Sequence, residues 1–256
     1  MSLILNADDY GKNESVNRAI RECFKAGSID RTTLMVNMPC AGDAARAARE
    51  EGFADRVGLH LNLTEGMPLT EPIKSNPLFC DEQGRFHAQF RQKTVNRLYM
   101  DRLSLDQIYT ELSAQLNRYA ELGLSLFHID SHHHIHTDYP IYRVVRKLAG
   151  SYRFSSIRLS RNLYHGGNRL NRIYKSMYNR SLKGLCSFTT DLFGSYLDLY
   201  HYGTVEENRV LLRENRIEIM LHPMYDAEGT LMDTDTPMSE VTAYLQKIGN
   251  TLSPEQ

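Results

Sequence analysis

The sequence has few cysteines, no net excess of charge and no long apolar run, and each of these features excludes a class of protein. Four cysteines among 256 residues, with no CxxC pair, do not form the dense framework of a small disulfide-stabilised domain. They favour reduced, buried thiols, and we therefore expect a cytoplasmic protein. With 30 basic and 31 acidic side chains, the overall charge gives no reason to expect a nucleic-acid partner.

Apolar stretches are short as well. The first of them, Leu3 to Leu5, is far below the length of a secretory signal or a membrane span, so we expect no transmembrane segment. A chain that is 41% hydrophobic and 24% charged can still bury a large core. These values predict a single folded domain over residues 1–256.

Strand-like and helix-like patterns alternate along the chain, which is typical of an α/β fold. The first such unit is LIL, followed by an acidic loop NADDYG and a helix from about Asn13. A later helix has a capping-box pattern at Ser104 and Gln107 and ends near Gly123. Between these units, residues 66–103 show little periodicity and are interpreted as a lid or insertion.

The most unusual segment is HIDSHHHIHTDYP at residues 128–140, where four of the ten histidines lie within five consecutive positions. Strand-like residues come before it, and Asp138 has the features of an N-cap for the following helix. The histidines therefore lie where a strand ends, at the edge where α/β folds assemble their active sites. Strand alternation places His128, Asp130 and His132 on one face.

Two other strand-like segments, VGLHLNL and RIEIMLH, place His60 and His222 opposite their apolar side chains. Because the carboxyl ends of parallel strands meet at one edge, these histidines are expected to converge there with His132 and the acidic pair Asp8 and Asp9. Two imidazoles and one carboxylate give a divalent cation three ligands and leave positions open for water and substrate. Each residue also has a structural explanation by itself, as a hydrogen-bonded strand histidine or a helix-capping aspartate. Their conjunction favours a metal site.

Four motifs carry a resemblance to a known family: LNADDYG, GLHLNLTEG, HIDSHHHIH and MLHP, in this order. Together they resemble the YdjC/ChbG family of metal-dependent carbohydrate deacetylases, which is related to the HpnK proteins. The resemblance implies a distorted (β/α) TIM-like barrel with parallel strands and outer helices. It also implies removal of an N-acetyl group from an amino sugar, such as N-acetylglucosamine in an oligosaccharide or sugar conjugate. In that family the positions of Asp9, His60 and His132 bind the metal, and the position of Asp8 is the base.

Amide hydrolysis needs hydroxide near neutral pH and a proton for the departing nitrogen. A divalent ion can lower the pKa of its water from about 15.7 to near 7. We expect Asp8 to take the proton from this water and His222 to protonate the leaving amine. The ligand type suits Zn, whereas the family is usually described with Mg, so one divalent ion is expected and its identity stays open between Mg and Zn.

Three further residues are expected around these groups. Asp130 would orient a ligating imidazole, because such an imidazole usually donates its second ring N–H to a carboxylate. His136 could contact the metal, water or sugar. Arg158 lies near the expected sugar-binding rim, where it would contact substrate or support a ligand.

Residues 158–183 contain seven basic side chains, interleaved tyrosines and no acidic side chain. The basic residues are Arg158, Arg161, Arg169, Arg172, Lys175, Arg180 and Lys183, and the tyrosines are Tyr164, Tyr174 and Tyr178. One explanation is a solvated helical insertion at about residues 161–185. The other is that the tract binds a phosphorylated, nucleotide-linked or lipid-linked sugar, since arginine pairs bidentately with phosphate.

Three classes of function stay open at this point. The first is a metal-dependent N-deacetylase, the second a metallohydrolase of another bond, such as a phosphoester or cyclic amide, and the third a non-catalytic metal- or sugar-binding module. A two-metal hydrolase needs more ligands than a single site with three protein ligands. A homodimer is the commonest default for the oligomeric state.

Overall fold

The computed structural model describes residues 2–126, 128–163, 169–204 and 208–252. The strands of the main sheet are β1 (Ser2–Tyr10), β2 (Arg31–Leu34), β3 (Val57–Leu61), β4 (His128–Ser131), β5 (Ser156–Ile157), β6 (Leu192–Ser195) and β7 (Arg216–Leu221). The helices are α1 (Glu14–Lys25), α2 (Ala41–Glu50), α3 (Glu71–Lys74), α4 (Thr94–Leu98), α5 (Arg102–Glu121), α6 (Tyr139–Tyr152), α7 (Arg169–Lys183), α8 (Tyr196–Gly203), α9 (Asn208–Glu214) and α10 (Met238–Leu252).

The seven strands are all parallel and pair in the order β5, β4, β3, β2, β1, β7, β6. The sheet curls into a half-barrel whose outer strands are β5 and β6. Irregular backbone bonds connect the chain after β5 to β6, since the N–H groups of Asn162 and Leu163 donate to Phe193 O at 3.0 and 2.9 Å. A small antiparallel sheet follows β7 and consists of β8 (Pro223–Tyr225), β9 (Leu231–Asp233) and β10 (Thr236–Pro237). This α/β, TIM-like architecture confirms the predicted fold class.

The hydrophobic core lies between the strands and the surrounding helices. In α5, Ile108, Leu112 and Leu116 are completely buried, and burial of each such side chain contributes about 1.5–3 kcal/mol. The predicted capping box of this helix is wrong, because α5 begins one turn earlier with Asp101 as its N-cap. The Asp101 carboxylate accepts the backbone N–H of Ser104 at 2.7 Å, so Ser104 lies inside the first turn.

The end of β1 differs from the predicted loop, because the strand continues through the acidic pair to Tyr10. Adjacent residues of a regular strand face opposite sides of the sheet. Here the register to β2 shifts between Ala7 and Tyr10, and Asp9 has a positive φ of 68°. This irregularity allows Asp8 and Asp9 to line the same cleft.

The segment predicted as a lid or insertion, residues 66–103, packs against the body through buried side chains that include Phe79, Phe90 and Met100. Its Arg91 and Arg97 both pair with Asp138. Asp138 is at the predicted N-cap position of α6, but its carboxylate makes no capping bond because the two arginines engage it. Whether the segment moves as a lid stays a prediction. In the described part of the chain, no helix is both long and apolar enough to cross a membrane.

Candidate metal centre

Three side chains, from the ends of β1, β3 and β4, meet at the carboxyl edge of the sheet. Asp9 Oδ1 lies 3.2 Å from His60 Nε2 and 2.9 Å from His132 Nδ1. Asp9 Oδ1 is buried and makes no hydrogen bond of acceptable geometry among the described residues. Ligand atoms at about 2.0–2.2 Å from one ion are separated by about 3.0–3.5 Å, so this spacing is close to that around a small cation. Two imidazole nitrogens and one carboxylate oxygen therefore form a donor set that fits a divalent metal.

Each of the two imidazoles turns its second nitrogen towards another carboxylate. His60 Nδ1 lies 2.7 Å from Asp130 Oδ1, and His132 Nε2 lies 3.0 Å from Glu65 Oε2. Such partners fix the tautomer and the ring orientation of a ligating histidine. Asp130 is completely buried, whereas Glu65 is half-exposed and also accepts from Lys12 Nζ at 2.8 Å.

These contacts shift the pKa values of the cluster. Burial lowers the pKa of His60, but the Asp130 carboxylate outweighs burial and the pKa is raised to about 10. Asp9 and Glu65 likewise raise the pKa of His132 against the effect of its burial. Burial raises the pKa of Asp9, but the adjacent His132 and His60 imidazoles reverse this and lower it. Both imidazoles are thus stabilised as cations beside Asp9, in an environment that attracts positive charge.

A buried ionic cluster lies directly behind these residues and is centred on Arg158. This guanidinium is completely buried and contacts Asp8 through Nη1 and Nη2 at 2.6 and 2.7 Å. It also contacts Asp130 Oδ2 at 2.8 Å and Glu218 Oε1 at 2.6 Å. The second carboxylate oxygen of Glu218 pairs with Arg31 Nη2 at 2.8 Å. Arg158 therefore connects Asp8 of β1 to Asp130, the carboxylate that contacts His60.

The charges of this region do not balance without a further cation. Four largely buried carboxylates face only two buried guanidinium groups, which leaves two negative charges. The carboxylates are those of Asp8, Asp9, Asp130 and Glu218, and the guanidinium groups are those of Arg31 and Arg158. Burying uncompensated charge is costly, so two imidazolium groups or one divalent ion must neutralise the site. The two imidazolium groups, or the metal expected from the sequence, would supply this charge.

Asp8 and His222 lie next to each other in the cleft. Asp8 is only 2% exposed, and its Oδ2 lies 4.0 Å from Nε2 of His222, whose side chain is 40% exposed. Burial raises the pKa of Asp8, but Arg158 outweighs this and holds it below its usual range. The backbone N–H of His222 donates to Asp233 Oδ1 at 2.7 Å, which fixes the chain just beyond β7. An ionised carboxylate and a solvent-accessible imidazole are thus placed on one side of the candidate metal position.

The candidate metal ligands, Asp8 and His222 line a cleft of about 550 Å³ at the carboxyl edge of the sheet. Its lining residues are Asp8, Asp9, Lys12, His60, Glu65, Arg91, Ser131, His132, His133, His134, Met220 and His222. His133 and His134 have positive φ angles of 53° and 56° in the turn after β4. A non-glycine residue with such a φ is uncommon, and two in succession beside a positive φ at Asp9 concentrate backbone strain at this site.

His136 lies away from the cleft, and Arg158 lies behind it, where it binds Asp130, the partner of His60. His136 is completely buried, with Nδ1 2.5 Å from Ser131 Oγ and Nε2 3.1 Å from Arg158 O. Burial and the Arg158 guanidinium lower its pKa to about 3, so it is a neutral ring that joins the ends of β4 and β5. The expectation that His136 contacts metal, water or sugar is not supported by this geometry. Nor does Arg158 reach a sugar-binding rim, because all of its guanidinium nitrogens bind carboxylates inside the molecule.

The sequence reasoning assigned no role to Glu65, Lys12, Glu218 or Arg91. Glu218 has the same strand parity as His222, so alternation could have indicated it, whereas Glu65 in the GLHLNLTEG motif has the parity of the apolar residues and no alternation pattern indicates it. Lys12 pairs with Glu65, and its pKa is raised because the carboxylate bonds outweigh its partial burial. Arg91 comes from the irregular segment before α4 and donates to His133 O, a contact that no local pattern indicates.

The basic tract does not form one continuous cationic surface. Arg158 belongs to the buried cluster, Arg161 pairs with Asp198, and Lys183 pairs with Asp191. Tyr178 is buried and donates its hydroxyl to His136 O at 3.0 Å. Tyr164, which was counted in the tract, lies outside the described residues.

A family model described as "YdjC-like protein" matches residues 2–248. A carbohydrate deacetylase of Brevibacillus brevis is 33% identical over 231 residues, which are 90% of this chain and 84% of that protein. A carbohydrate deacetylase of Geobacillus stearothermophilus is 32% identical over 244 residues, which are 95% of this chain and 84% of that protein.

Among solved structures, the fold is similar to that of a protein from Enterococcus faecalis V583 that is named for a proposed role in cellobiose-phosphate cleavage. The TM-score is 0.70 at 23% sequence identity, and the match covers 98% of this chain and 94% of the other. At this identity the likeness is informative about the fold.

Proposed function

The chain belongs to the YdjC-like family, and we propose that it is a hydrolase that removes the N-acetyl group of an amino sugar, in an oligosaccharide or a sugar conjugate, with one divalent metal ion. Curated relatives named carbohydrate deacetylase align along most of this chain at about a third identity. One observation carries the proposal: Asp9, His60 and His132 cluster at a cleft that also contains an ionised carboxylate and a half-exposed imidazole.

The proposed roles follow from the positions of the side chains. Asp9, His60 and His132 would hold the ion, which when bound supplies an acidic water and polarises the acetyl carbonyl. Arg158 keeps Asp8 ionised and fixes its carboxylate with two hydrogen bonds, so Asp8 is deprotonated and held in place for its proposed role as the base. His222 protonates the leaving amine, because its side chain reaches solvent and lies beside Asp8.

Asp130 and Glu65 would orient the two histidines from outside the metal. Both accept from a ring nitrogen that faces away from Asp9, which leaves the other nitrogen directed at the ion. The choice between Mg and Zn stays open: two imidazoles suit Zn by ligand type, while Mg follows from the family resemblance.

The test is acetate release from N-acetylglucosamine oligomers, measured before and after chelation. We expect acetate from the metal-loaded protein, loss of release after chelation, and recovery on addition of Mg or Zn. Elemental analysis should find one ion per chain, and His132→Ala should lower this occupancy. Failure to release acetate from any N-acetylated sugar by a fully loaded protein would contradict the proposal.

A hydrolase with two metals is the main alternative, and the buried cluster disfavours it. Two further sets of side chains have spacings that suit an ion: Asp8 with His60 and Asp130, and His128 with Asp130 and Glu218. Both sets use carboxylates that Arg158 already binds at 2.6 to 2.8 Å. A second cation there would lie against the guanidinium, and the resulting repulsion favours one ion.

The finer identity of the substrate and its setting are also proposals. A phosphorylated, nucleotide-linked or lipid-linked sugar is supported by Arg172 and Arg180, which are exposed on α7. A cytoplasmic location is supported by the four free cysteines, of which Cys23 and Cys80 are buried. A homodimer stays a prediction from general frequency.

Salt dependence distinguishes charged from neutral substrates. If the exposed arginines attract a phosphorylated sugar, kcat/KM for that substrate should fall severalfold from low to high ionic strength, because salt screens exposed charges. Turnover of a neutral oligosaccharide should change little under the same conditions. An equal response of both substrates would remove the case for a charged substrate.

A further inference from the structure

Helix α7 carries an apolar stripe on its outer surface. Leu170, Ile173, Tyr174 and Met177 are 74, 50, 52 and 71% exposed. They recur at positions i, i+3, i+4 and i+7, so they share about 100° of the helix circumference. A different face of the same helix holds it on the protein, through the buried residues Tyr178, Asn179 and Leu182. The stripe is therefore additional to the apolar contacts by which α7 packs on the core.

A cationic flank lies beside the apolar stripe. Arg169, Arg172 and Arg180 are exposed, and at about 100° per residue they fall between the stripe and the far edge of the buried face. There is no acidic residue anywhere from 158 to 183. An apolar stripe with arginines along one side is the pattern of helices that lie in the interface of an anionic membrane.

The helix is fixed to the body of the protein at the side of the cleft. Tyr178 donates to His136 O in the turn that follows β4, which is the turn that carries His132. Asn179 makes two bonds to the backbone of Ser160, just beyond Arg158. A surface bound to α7 would therefore be separated from the candidate metal centre by the turn that follows β4.

We propose that α7 is a docking helix for an anionic lipid bilayer, which the apolar stripe enters at headgroup depth while the arginines contact lipid phosphates. A bilayer fits both features, since burial of the stripe removes apolar surface from water and each cation near an anionic membrane adds attraction. A second copy of this chain paired through antiparallel stripes fits poorly, because that twofold interface would place the cationic flank of one α7 beside that of the other. This proposal goes beyond the deacetylase function and does not depend on it.

The absence of tryptophan from the chain allows a direct measurement. Tyr174→Trp introduces the sole tryptophan at the stripe, and Leu103→Trp provides the matched control. Leu103 is 67% exposed at the start of α5, between the acidic residues Asp101 and Asp106. With vesicles of phosphatidylcholine and phosphatidylglycerol, the indole emission of the Tyr174→Trp variant should shift to the blue and be quenched by brominated acyl chains. The emission of the Leu103→Trp variant should not change.

Co-sedimentation of the otherwise unaltered protein with the same vesicles shows whether the introduced tryptophan drives binding. The wild type should sediment with these vesicles, sediment much less with pure phosphatidylcholine, and be released by high salt. Arg172→Gln with Arg180→Gln should weaken binding about 30-fold, on the basis of about 1 kcal/mol for each cation near the surface. Ile173→Gln with Met177→Gln should weaken vesicle binding at least as strongly as one of the two arginine substitutions. Unchanged thermal unfolding of both double variants would verify that they are folded.

Either of two results would contradict the docking proposal. If the wild type does not sediment with the anionic vesicles, or if the stripe variant sediments like wild type, the docking proposal is wrong. If the stripe variant instead changes the molecular mass in solution while vesicle binding is absent, the stripe is an interface between copies. Acetate release is not used in any of these measurements, so a failure here leaves the proposed deacetylase function to its own test.

Discussion

Replacing Arg158 by methionine is expected to lower the free energy of unfolding by about 3–5 kcal/mol at pH 7, the range for removing one partner of a buried ion pair. The methionine side chain fills much of the same volume, so the effect comes mainly from charge. Without the guanidinium, Asp8, Asp130 and Glu218 are left buried together, and among the described residues one guanidinium, that of Arg31, still pairs with any of them. Urea unfolding of the variant and the wild type measures the difference.

Two further variants show whether charge causes this loss. Arg102→Met removes an arginine that is 97% exposed, and it should change the unfolding free energy by less than about 0.5 kcal/mol. The double variant Arg158→Met with Asp8→Asn should be less destabilised than the sum of the single changes, because it removes one of the stranded carboxylates. Additive effects would mean that Arg158 stabilises the protein through packing, for example over the Phe193 ring at 4.8 Å.

The pH dependence of this difference follows from the carboxylates. Burial raises the pKa of Glu218, but Arg31 and Arg158 outweigh burial and lower it to about 2, and Arg158 lowers that of Asp8. A carboxyl group whose pKa is lower in the folded state stabilises the protein above its unfolded pKa, and this contribution is lost as the pH falls. In the variant the same groups lack their partner, and their protonation relieves the repulsion. The gap in stability between wild type and variant should therefore narrow as the pH is lowered from 7 to about 4.

The positions of the metal-site residues could be predicted because strand alternation is a short-range rule. His60, Asp130 and His222 each lie opposite the apolar side chains of their own strand, so the local pattern fixes the face on which they lie. The parallel order of the strands then brings these residues to one edge. Asp9 could not be placed in this way. Alternation would separate it from Asp8, and only the irregular backbone at its positive φ brings both into the cleft.

The contacts of Arg158 could not be predicted from the sequence for a different reason. Its partners Asp8 and Glu218 are 150 and 60 residues away, and no periodic pattern connects them. A basic side chain in a basic tract is expected at the surface, yet this one is completely buried because three carboxylates compensate its charge. The position of His136 could not be predicted either, because the four histidines at 132–136 are equivalent in the sequence pattern. The left-handed turn at His133 and His134 directs His136 away from the cleft.

Replacing Asp8 by asparagine should reduce kcat by about 10²–10⁴-fold, the usual contribution of a general base. Asparagine keeps the shape of the side chain and can still accept from Arg158, but it cannot take a proton from water. Arg158 would retain two carboxylate partners, Asp130 and Glu218, so the fold should persist. The metal-ligating atoms proposed for Asp9, His60 and His132 are untouched, and metal occupancy should equal that of the wild type.

The pairing of these two readouts distinguishes an enzyme from a non-catalytic binding module. His132→Ala is the matched comparison, because it should lose metal and activity together, whereas Asp8→Asn should lose activity alone. A binding module would have no use for an ionised carboxylate beside its metal, and its ligand affinity would survive the change to asparagine. Retention of more than about a tenth of wild-type kcat by a metal-loaded Asp8→Asn protein would transfer the role of base to another group. The candidate is then His222, whose Nε2 is 4.0 Å from Asp8 Oδ2 in the same cleft. His222→Gln measured in the Asp8→Asn background would then decide between these assignments, since a histidine acting as both base and acid leaves no residual turnover once it is removed.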